Sequence, residues 1–316
     1  MCTWFGCKSK KEVTPPRTLV SLAEKELYAL YGLKDESDYK IYDTPLSTLP
    51  GHLSTFEGGF KNKDTLVMIH GYGASNAFWF KVMPDLLKKF HVYALDMYGF
   101  GGSHRPDEEI KSTEQGLEIY TKSIEEWRAK LGLTEFYILG HSLGAYLTNH
   151  YLHRYGGSGA FKVNGVFMLS PAGSTAATPE DQAEFNARFG WFKGAMIKLV
   201  GYLIFDRHWS PLSLGFWMSR DKAVGKFFGG ERLRLSEIER NAMIKYYIAN
   251  MDYGVEGMSV VGYFLHWGRY SRAPYSEFIN ELVEKYNYVF LYGDKDWMDP
   301  KNVIKMMESF PDNHKC

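Results

Sequence analysis

Cysteine is scarce: the 316 residues hold only Cys2, Cys7 and Cys316, all near the ends. No disulfide framework can staple the middle of such a chain, and a reducing compartment is expected. Long apolar runs are lacking too. No stretch approaches the ~20 residues of a spanning helix, and Met1 to Lys11 lacks the apolar run of a signal peptide. Nor is there an excess of one charge, since 37 Lys and Arg face 37 Asp and Glu. That balance removes the field that would draw the chain to nucleic acid or to acidic lipid, so any membrane affinity must be local. Internal repeats, low-complexity tracts and Cys-x-x-Cys or other metal-ligand spacings are also missing, so no metal is expected.

Aromatic residues, at 16%, are what the chain has in excess. They suit places where a side chain meets an apolar and a wet environment at once, such as ligand pockets and membrane interfaces, although a rich core uses them equally. In the first residues, Cys2 and Cys7 flank Trp4 and Phe5 and are followed by Lys8, Lys10 and Lys11. This pattern fits an acylated interfacial anchor, in which two weak membrane signals combine; the alternative is a frayed arm over 1–18 with no function.

Beyond Pro15-Pro16, a short helix is expected over Leu19 to Leu33, then two antiparallel strands over Tyr39 to Thr44 and His52 to Glu57. From Thr65 the pattern becomes apolar strand, helix, apolar strand: strands at Thr65 to His70, His91 to Asp96, Phe136 to Gly140 and Val163 to Ser170, with helices at Phe78 to Phe90, Ser112 to Leu131 and Leu143 to Tyr155. Such alternation marks an α/β fold with a mostly parallel sheet covered by helices on both faces. The rhythm lapses until Tyr288 to Tyr292, too long an interval for a structureless loop. Residues 172–275 are therefore expected to form a helical cap inserted into a core of 19–171 and 276–316. The cap carries the apolar stripe Trp191, Phe192, Leu199, Val200, Leu203, Ile204 and Phe205, then Trp209 and Phe216-Trp217-Met218. A thin cap cannot bury all of that surface within itself, so part of it is expected to meet substrate or bilayer.

The chemistry centres on Gly140-His141-Ser142-Leu143-Gly144, a G-x-S-x-G between an apolar strand and a helix-forming run. An abrupt strand-to-helix turn strains the residue at its apex, while Gly140 and Gly144 let strand and helix approach. Ser142 is then a reachable nucleophile at a helix N-terminus, where the Leu143 amide faces developing negative charge. A second oxyanion donor is expected from His70-Gly71-Tyr72-Gly73 after the preceding core strand, with the Tyr72 amide as candidate, Gly71 keeping the loop tight and His70 ordering it. An acid that orients a histidine is expected just after the strand that resumes the sheet, where Asp296 is the first choice and Asp299 the alternative. No histidine follows at the right place; His314 would sit at the wrong end of a further strand.

Two other patterns are set aside. Gly99-Phe100-Gly101-Gly102-Ser103-His104 has His104 where a dinucleotide loop needs its third glycine, and His91 and Asp96 stand at opposite ends of one buried strand.

With the elbow, the His70-Gly71 loop and Gly293-Asp294-Lys295-Asp296-Trp297-Met298-Asp299 in hand, the chain resembles a subfamily of α/β-hydrolase-domain proteins. Its members include the N-acyl-phosphatidylethanolamine lysophospholipase, the lipid-droplet coactivator of triglyceride lipase, and related plant and fungal phospholipases. Asp96-Met97-Tyr98-Gly99-Phe100-Gly101, Ser170-Pro171-Ala172-Gly173 and Trp209-Ser210-Pro211-Leu212-Ser213 strengthen the likeness, which runs from about residue 40 to 310. The resemblance implies hydrolysis of a (lyso)phospholipid acyl ester without a cofactor, by a cytoplasmic protein attached peripherally to membranes or lipid droplets. No nucleic acid is expected as a partner, and no protein partner is readable. Family members continue into a segment that supplies the catalytic histidine and an H-x4-D tract invoked for acyl transfer to lysophosphatidate. The expectation is that the last strand and helix are missing here, leaving either a truncated hydrolase or a non-catalytic adaptor of the coactivator kind.

Overall fold

The computed structural model describes residues 16–106, 110–181, 183, 199–200, 202–203, 207, 224, 234–254, 260–266, 270–294, 296, 298, 300–308 and 310. In chain order its elements are α1 (Pro16–Ala29), β1 (Tyr39–Pro45), β2 (His52–Gly58), β3 (Thr65–Ile69), α2 (Met83–Leu86), β4 (His91–Leu95), α3 (Thr113–Lys130), β5 (Glu135–His141), α4 (Leu143–Tyr155) and β6 (Lys162–Leu169). These are followed by α5 (Glu237–Tyr253), α6 (Val261–Phe264), β7 (Leu265–His266), β8 (Tyr270–Ser271), α7 (Ile279–Lys285), β9 (Tyr288–Leu291) and α8 (Lys301–Glu308).

Seven strands form one sheet in the order β1-β2-β4-β3-β5-β6-β9. The β1/β2 and β2/β4 pairs are antiparallel, and every later pair is parallel. The central strands are buried on both faces, which explains why they read as short apolar runs rather than alternating ones. Two hydrophobic clusters flank the sheet. One gathers Tyr120, Trp127, Tyr146 and Tyr151 of α3 and α4 with residues of α7; the other gathers Val20, Leu27 and Tyr28 of α1 with Met243 and Tyr246 of α5. Trp127 ties α3 to β2 by donating its indole N–H to Thr55 Oγ1 at 2.8 Å.

Local sequence explains most of the ends. Ser112 caps α3 by accepting from the Gln115 amide, and Ser236 with Glu239 forms a reciprocal capping box at the start of α5. The helix expected over Phe78 to Phe90 is the clear difference: the segment is a 3-10 turn, Asn76–Trp79, followed by the single turn α2. Pro84 sits at the start of that turn, where its missing N–H is harmless, but it cannot donate backward to continue a helix from Phe80. Upstream, Asn76 is held by Asp96 rather than by a helical partner.

Of the expected cap stripe, Leu199, Val200 and Leu203 are described, with Leu199 and Val200 exposed. Trp191, Phe192, Ile204, Phe205, Trp209 and Phe216-Trp217-Met218 lie outside the described residues, as do Cys2, Cys7 and the first 15 residues. No described helix is long and apolar enough to cross a membrane.

Candidate active site

Ser142 stands between β5 and α4 with φ 52° and ψ −115°, a backbone conformation that a non-glycine residue adopts only under constraint. The constraint is visible. Its amide donates to Leu169 O at 2.9 Å, while its carbonyl accepts from Tyr146 at 3.2 Å and from Ala172 at 3.2 Å. A Cβ at Gly140 would fall 2.5 Å from the Ala145 backbone, and one at Gly144 would fall 2.5 Å from Ile69 O. The turn therefore exists because two glycines allow helix, elbow and β3 to pack without a side chain between them.

Gly71 brings the loop after β3 beside this turn, since a Cβ there would meet Ser142 Cβ at 3.1 Å and His141 Nδ1 at 2.7 Å. Tyr72, the next residue, is partly buried, and burial pushes its phenol above the ordinary value. Leu143 is buried as the first residue of a 13-residue helix, and its amide donates to no acceptor among the described residues, as expected of an orphan N–H at a helix start. The hydroxyl of Ser142 likewise bonds no described group.

His70 is fully buried and orders the loop. Met97 N–H donates to its Nε2 at 2.9 Å, so the ring proton is on Nδ1, which donates to the Gly71 carbonyl at 2.7 Å. Burial lowers its pKa to about 3, keeping the ring neutral in this role. His141 is partly buried, stacked on Phe78 at 6.0 Å and met edge-on by Trp79 at 6.1 Å. Burial lowers its pKa while the charge of Asp296 pulls the other way, and its Nδ1 has no partner among the described residues.

Asp296 lies beyond β9, at the same carboxyl-terminal edge of the sheet. One of its oxygens accepts from the Ser170 hydroxyl and the other from the Met298 amide at 3.0 Å. Ser170, directly after β6, is itself held at φ 43° and donates its amide to Leu291 O at 2.8 Å. The strained residues after β5 and β6 thus stand at the same edge of the parallel sheet as the acid. Ser170 had no expected role; a hydroxyl residue wedged between an apolar strand and Pro171 was the available signal. Asp299 lies outside the described residues.

Eight of the ten histidines are described, and none of them hydrogen-bonds Ser142 or Asp296; His208 and His314 lie outside the described residues. His91 is committed to Glu57 at 2.8 Å and His150 to Ala273 O at 3.1 Å. Among the described residues no group of three or more His, Cys, Asp or Glu side chains could hold a metal ion. A small hollow of about 30 Å³ opens under α5 between Gly73, Gly101, Arg105 and Asn250, beside the donor loop, and is not lined by Ser142.

Comparison with known proteins agrees with this architecture. The family model described as alpha/beta hydrolase fold matches residues 64–316. A probable 1-acylglycerol-3-phosphate O-acyltransferase of Oryza sativa subsp. japonica is 30% identical over 246 residues, 76% of this chain and 57% of the relative. The (lyso)-N-acylphosphatidylethanolamine lipase of Mus musculus is 25% identical over 259 residues, covering 80% of this chain and 71% of the relative. Among solved structures, a carboxylesterase of Bacillus subtilis superposes with a TM-score of 0.57 at 16% identity, covering 94% of this chain and 87% of that one. The chain spans less than three fifths of the length of the plant relatives it matches. Sheet order, strained elbow serine and family match lead to one conclusion: the chain belongs to the α/β-hydrolase-fold family.

Proposed function

We propose that the protein is a serine hydrolase that cleaves acyl esters of (lyso)phospholipids at a membrane or lipid-droplet surface, with Ser142 as nucleophile. The observation that carries this reading is the backbone of Ser142, held at φ 52° at the start of α4 with its hydroxyl bonded to no described group. A backbone strained in this way persists only where the surrounding structure enforces it, and the helix N-terminus with the nearby Gly71 loop supports an oxyanion-stabilising role for it. In the proposed reaction Ser142 Oγ attacks the ester carbonyl as its proton passes to a histidine. The carbonyl oxygen, now negative, is held by the Tyr72 and Leu143 amides. Collapse breaks the carbon–oxygen ester bond and the protonated histidine supplies the leaving alcohol with its proton. Water then resolves the acyl-enzyme by the same steps in reverse order. Asp296 orients the histidine and stabilises its charge, and residues 172–275 serve as the cap beneath which the acyl chain enters. The names of the mouse and rice relatives support a lipid substrate. The rice relative's name also supports a variant in which a lysophospholipid hydroxyl, instead of water, takes the acyl group.

A second reading, a lipid-surface adaptor without turnover, draws on a different observation: both Asp296 oxygens are occupied, by Ser170 and Met298, and no described histidine bonds the acid or the serine.

Labelling of the protein and of Ser142→Ala with a fluorophosphonate probe, with fatty-acid release from lysophospholipid vesicles, separates the two. Ser142-dependent labelling with turnover would support the hydrolase reading and mean that a histidine reaches the site. A folded protein that neither labels nor releases fatty acid would leave the adaptor reading.

A further inference from the structure

Behind the donor loop lies a buried polar cluster that the proposed reaction does not use. Glu24 of α1 and Asp96, just after β4, are both fully buried. They share one amide: Asn76 Nδ2 donates to Asp96 Oδ1 at 2.8 Å and to Glu24 Oε1 at 3.3 Å. Asp96 is well supplied, accepting also from the Asn76 backbone at 2.5 Å and the Gly102 amide at 2.7 Å. Glu24 is not. Besides Asn76 it is approached by the Tyr246 hydroxyl at 3.4 Å, and its Oε2 has no hydrogen bond among the described residues. Arg17 Nη1 comes within 3.9 Å of Glu24 without hydrogen-bonding any described group, while Nη2 of the same guanidinium donates to Asp43 at 3.0 Å and Ser54 at 3.2 Å.

Two ionised carboxylates cannot share a dry site with one distant, divided cation, so one retains a proton. The proton goes to the carboxyl with fewer and longer donors, which is Glu24. Burial first, and then the charge of Asp96, raises Glu24; burial raises Asp96 less, because N–H donors oppose it.

We propose that Glu24 is a positioning residue of the active site: in its protonated form it completes a buried lock that holds the oxyanion-donor loop against Ser142, and loss of the proton loosens that loop. The inference rests on Ser142 being the nucleophile. The lock reaches the loop at two adjacent residues, because Asn76 is held by Asp96 and Glu24, and Ser75 accepts from Tyr246 of α5. Tyr72 lies three residues before Ser75, and the turn between is closed by Ala74 N–H to Gly71 O at 3.2 Å. Tyr28 of α1 donates to Asn76 O at 2.9 Å from a third side. The other titratable groups that Glu24 meets are Arg17 and Tyr28 on its own helix, Tyr39 on β1, Asp96 after β4 and Tyr246 on α5, while Asp43 on β1 faces Arg17. Burial raises all three phenols, so they stay neutral wherever Glu24 titrates.

The test follows the fluorophosphonate labelling rate of Ser142 in the protein and in Glu24→Gln from about pH 6 to about pH 10. In the unaltered protein the rate is expected to fall about tenfold on the alkaline side, with a midpoint near the value of about 8 to which Glu24 is raised. Glu24→Gln, a neutral mimic of the protonated acid, is expected to lose that fall. An identical alkaline fall in both proteins would overturn the proposal. Amide exchange of 71–76 in the unaltered protein, corrected for intrinsic rates and referenced to α3, supplies a second readout that needs neither the variant nor labelling. Loosening of 71–76 and α1 above the midpoint is expected. If nothing labels at any pH but this loosening occurs, the nucleophile reading fails while the lock stands; uniform exchange across the transition removes the lock.

Discussion

The two halves of the proposed site are built differently. Around Ser142 the backbone is determined by steric necessity: β3, β5 and α4 pack so closely that a single Cβ at Gly140 or Gly144 collides with main chain. Around Asp296, a partly buried residue, two hydrogen bonds from described residues hold the carboxylate, and a Cβ at Gly293 would meet no described atom closer than 3.9 Å. β9 itself exposes Val289 and Leu291, by 42% and 50%, whereas β3 buries every residue from Leu66 to Ile69. One half is therefore rigid by packing, and the other is positioned by a few polar contacts that single substitutions can remove.

The largest expected effect tests whether the loosely held half matters to chemistry. Asp296→Ala should lower the fluorophosphonate labelling rate by about 10³-fold to 10⁴-fold if that acid orients the base. An equal loss in Asp299→Ala, with Asp296→Ala unaffected, would transfer the role to the alternative acid. Next in size is stability. Gly144→Ala should lower the unfolding free energy by about 1–3 kcal/mol in urea titrations, whereas Gly293→Ala should change it by less than about 0.5 kcal/mol. Similar losses at both glycines would erase the contrast.

A third expectation concerns acid. Burial holds His70 down to about 3 and His150 down to about 4, both neutral in the native state. Both rings bind protons more readily when unfolded, so the stability they confer is complete above the ordinary histidine value of 6.5 and is lost as pH falls from there toward 3. Thermal melts of His70→Asn should therefore show a flatter decline through that window than the unaltered protein. A parallel decline would mean that the ring is solvated. A small effect on labelling is expected at Ser170→Ala. Removing one charge-assisted hydrogen bond to Asp296 should cost about 1–2 kcal/mol and slow labelling less than tenfold.

How legible each half was in the sequence follows from the same contrast. The strands and α3 and α4 could be read from apolar runs and periodicity, because burial on both faces of a parallel sheet leaves that trace. The elbow could be read because its two glycines are spaced by a steric rule. The segment 78–90 misled because Phe78, Val82, Met83 and Leu86 have helical spacing, while the long-range hold of Asp96 on Asn76 and the position of Pro84 break it into two turns. Ser170 against Asp296 and the Glu24–Asn76–Asp96 lock were not legible, since their partners are separated by 126, 52 and 20 residues. No local pattern reports a hydrogen bond across such intervals.

The pairing of β6 with β9, in which Val166 faces Tyr288 and Leu169 faces Leu291, also has a consequence in time. No earlier parallel pairing joins residues more than 71 apart, as in Leu66 with Tyr137, but Val166 and Tyr288 are 122 apart and enclose the whole of 172–275, and closing a long loop is slow. The elbow is expected to take shape while the acid is still distant. Assembly of the proposed site then becomes a late folding event, timed by the docking of a single four-residue strand.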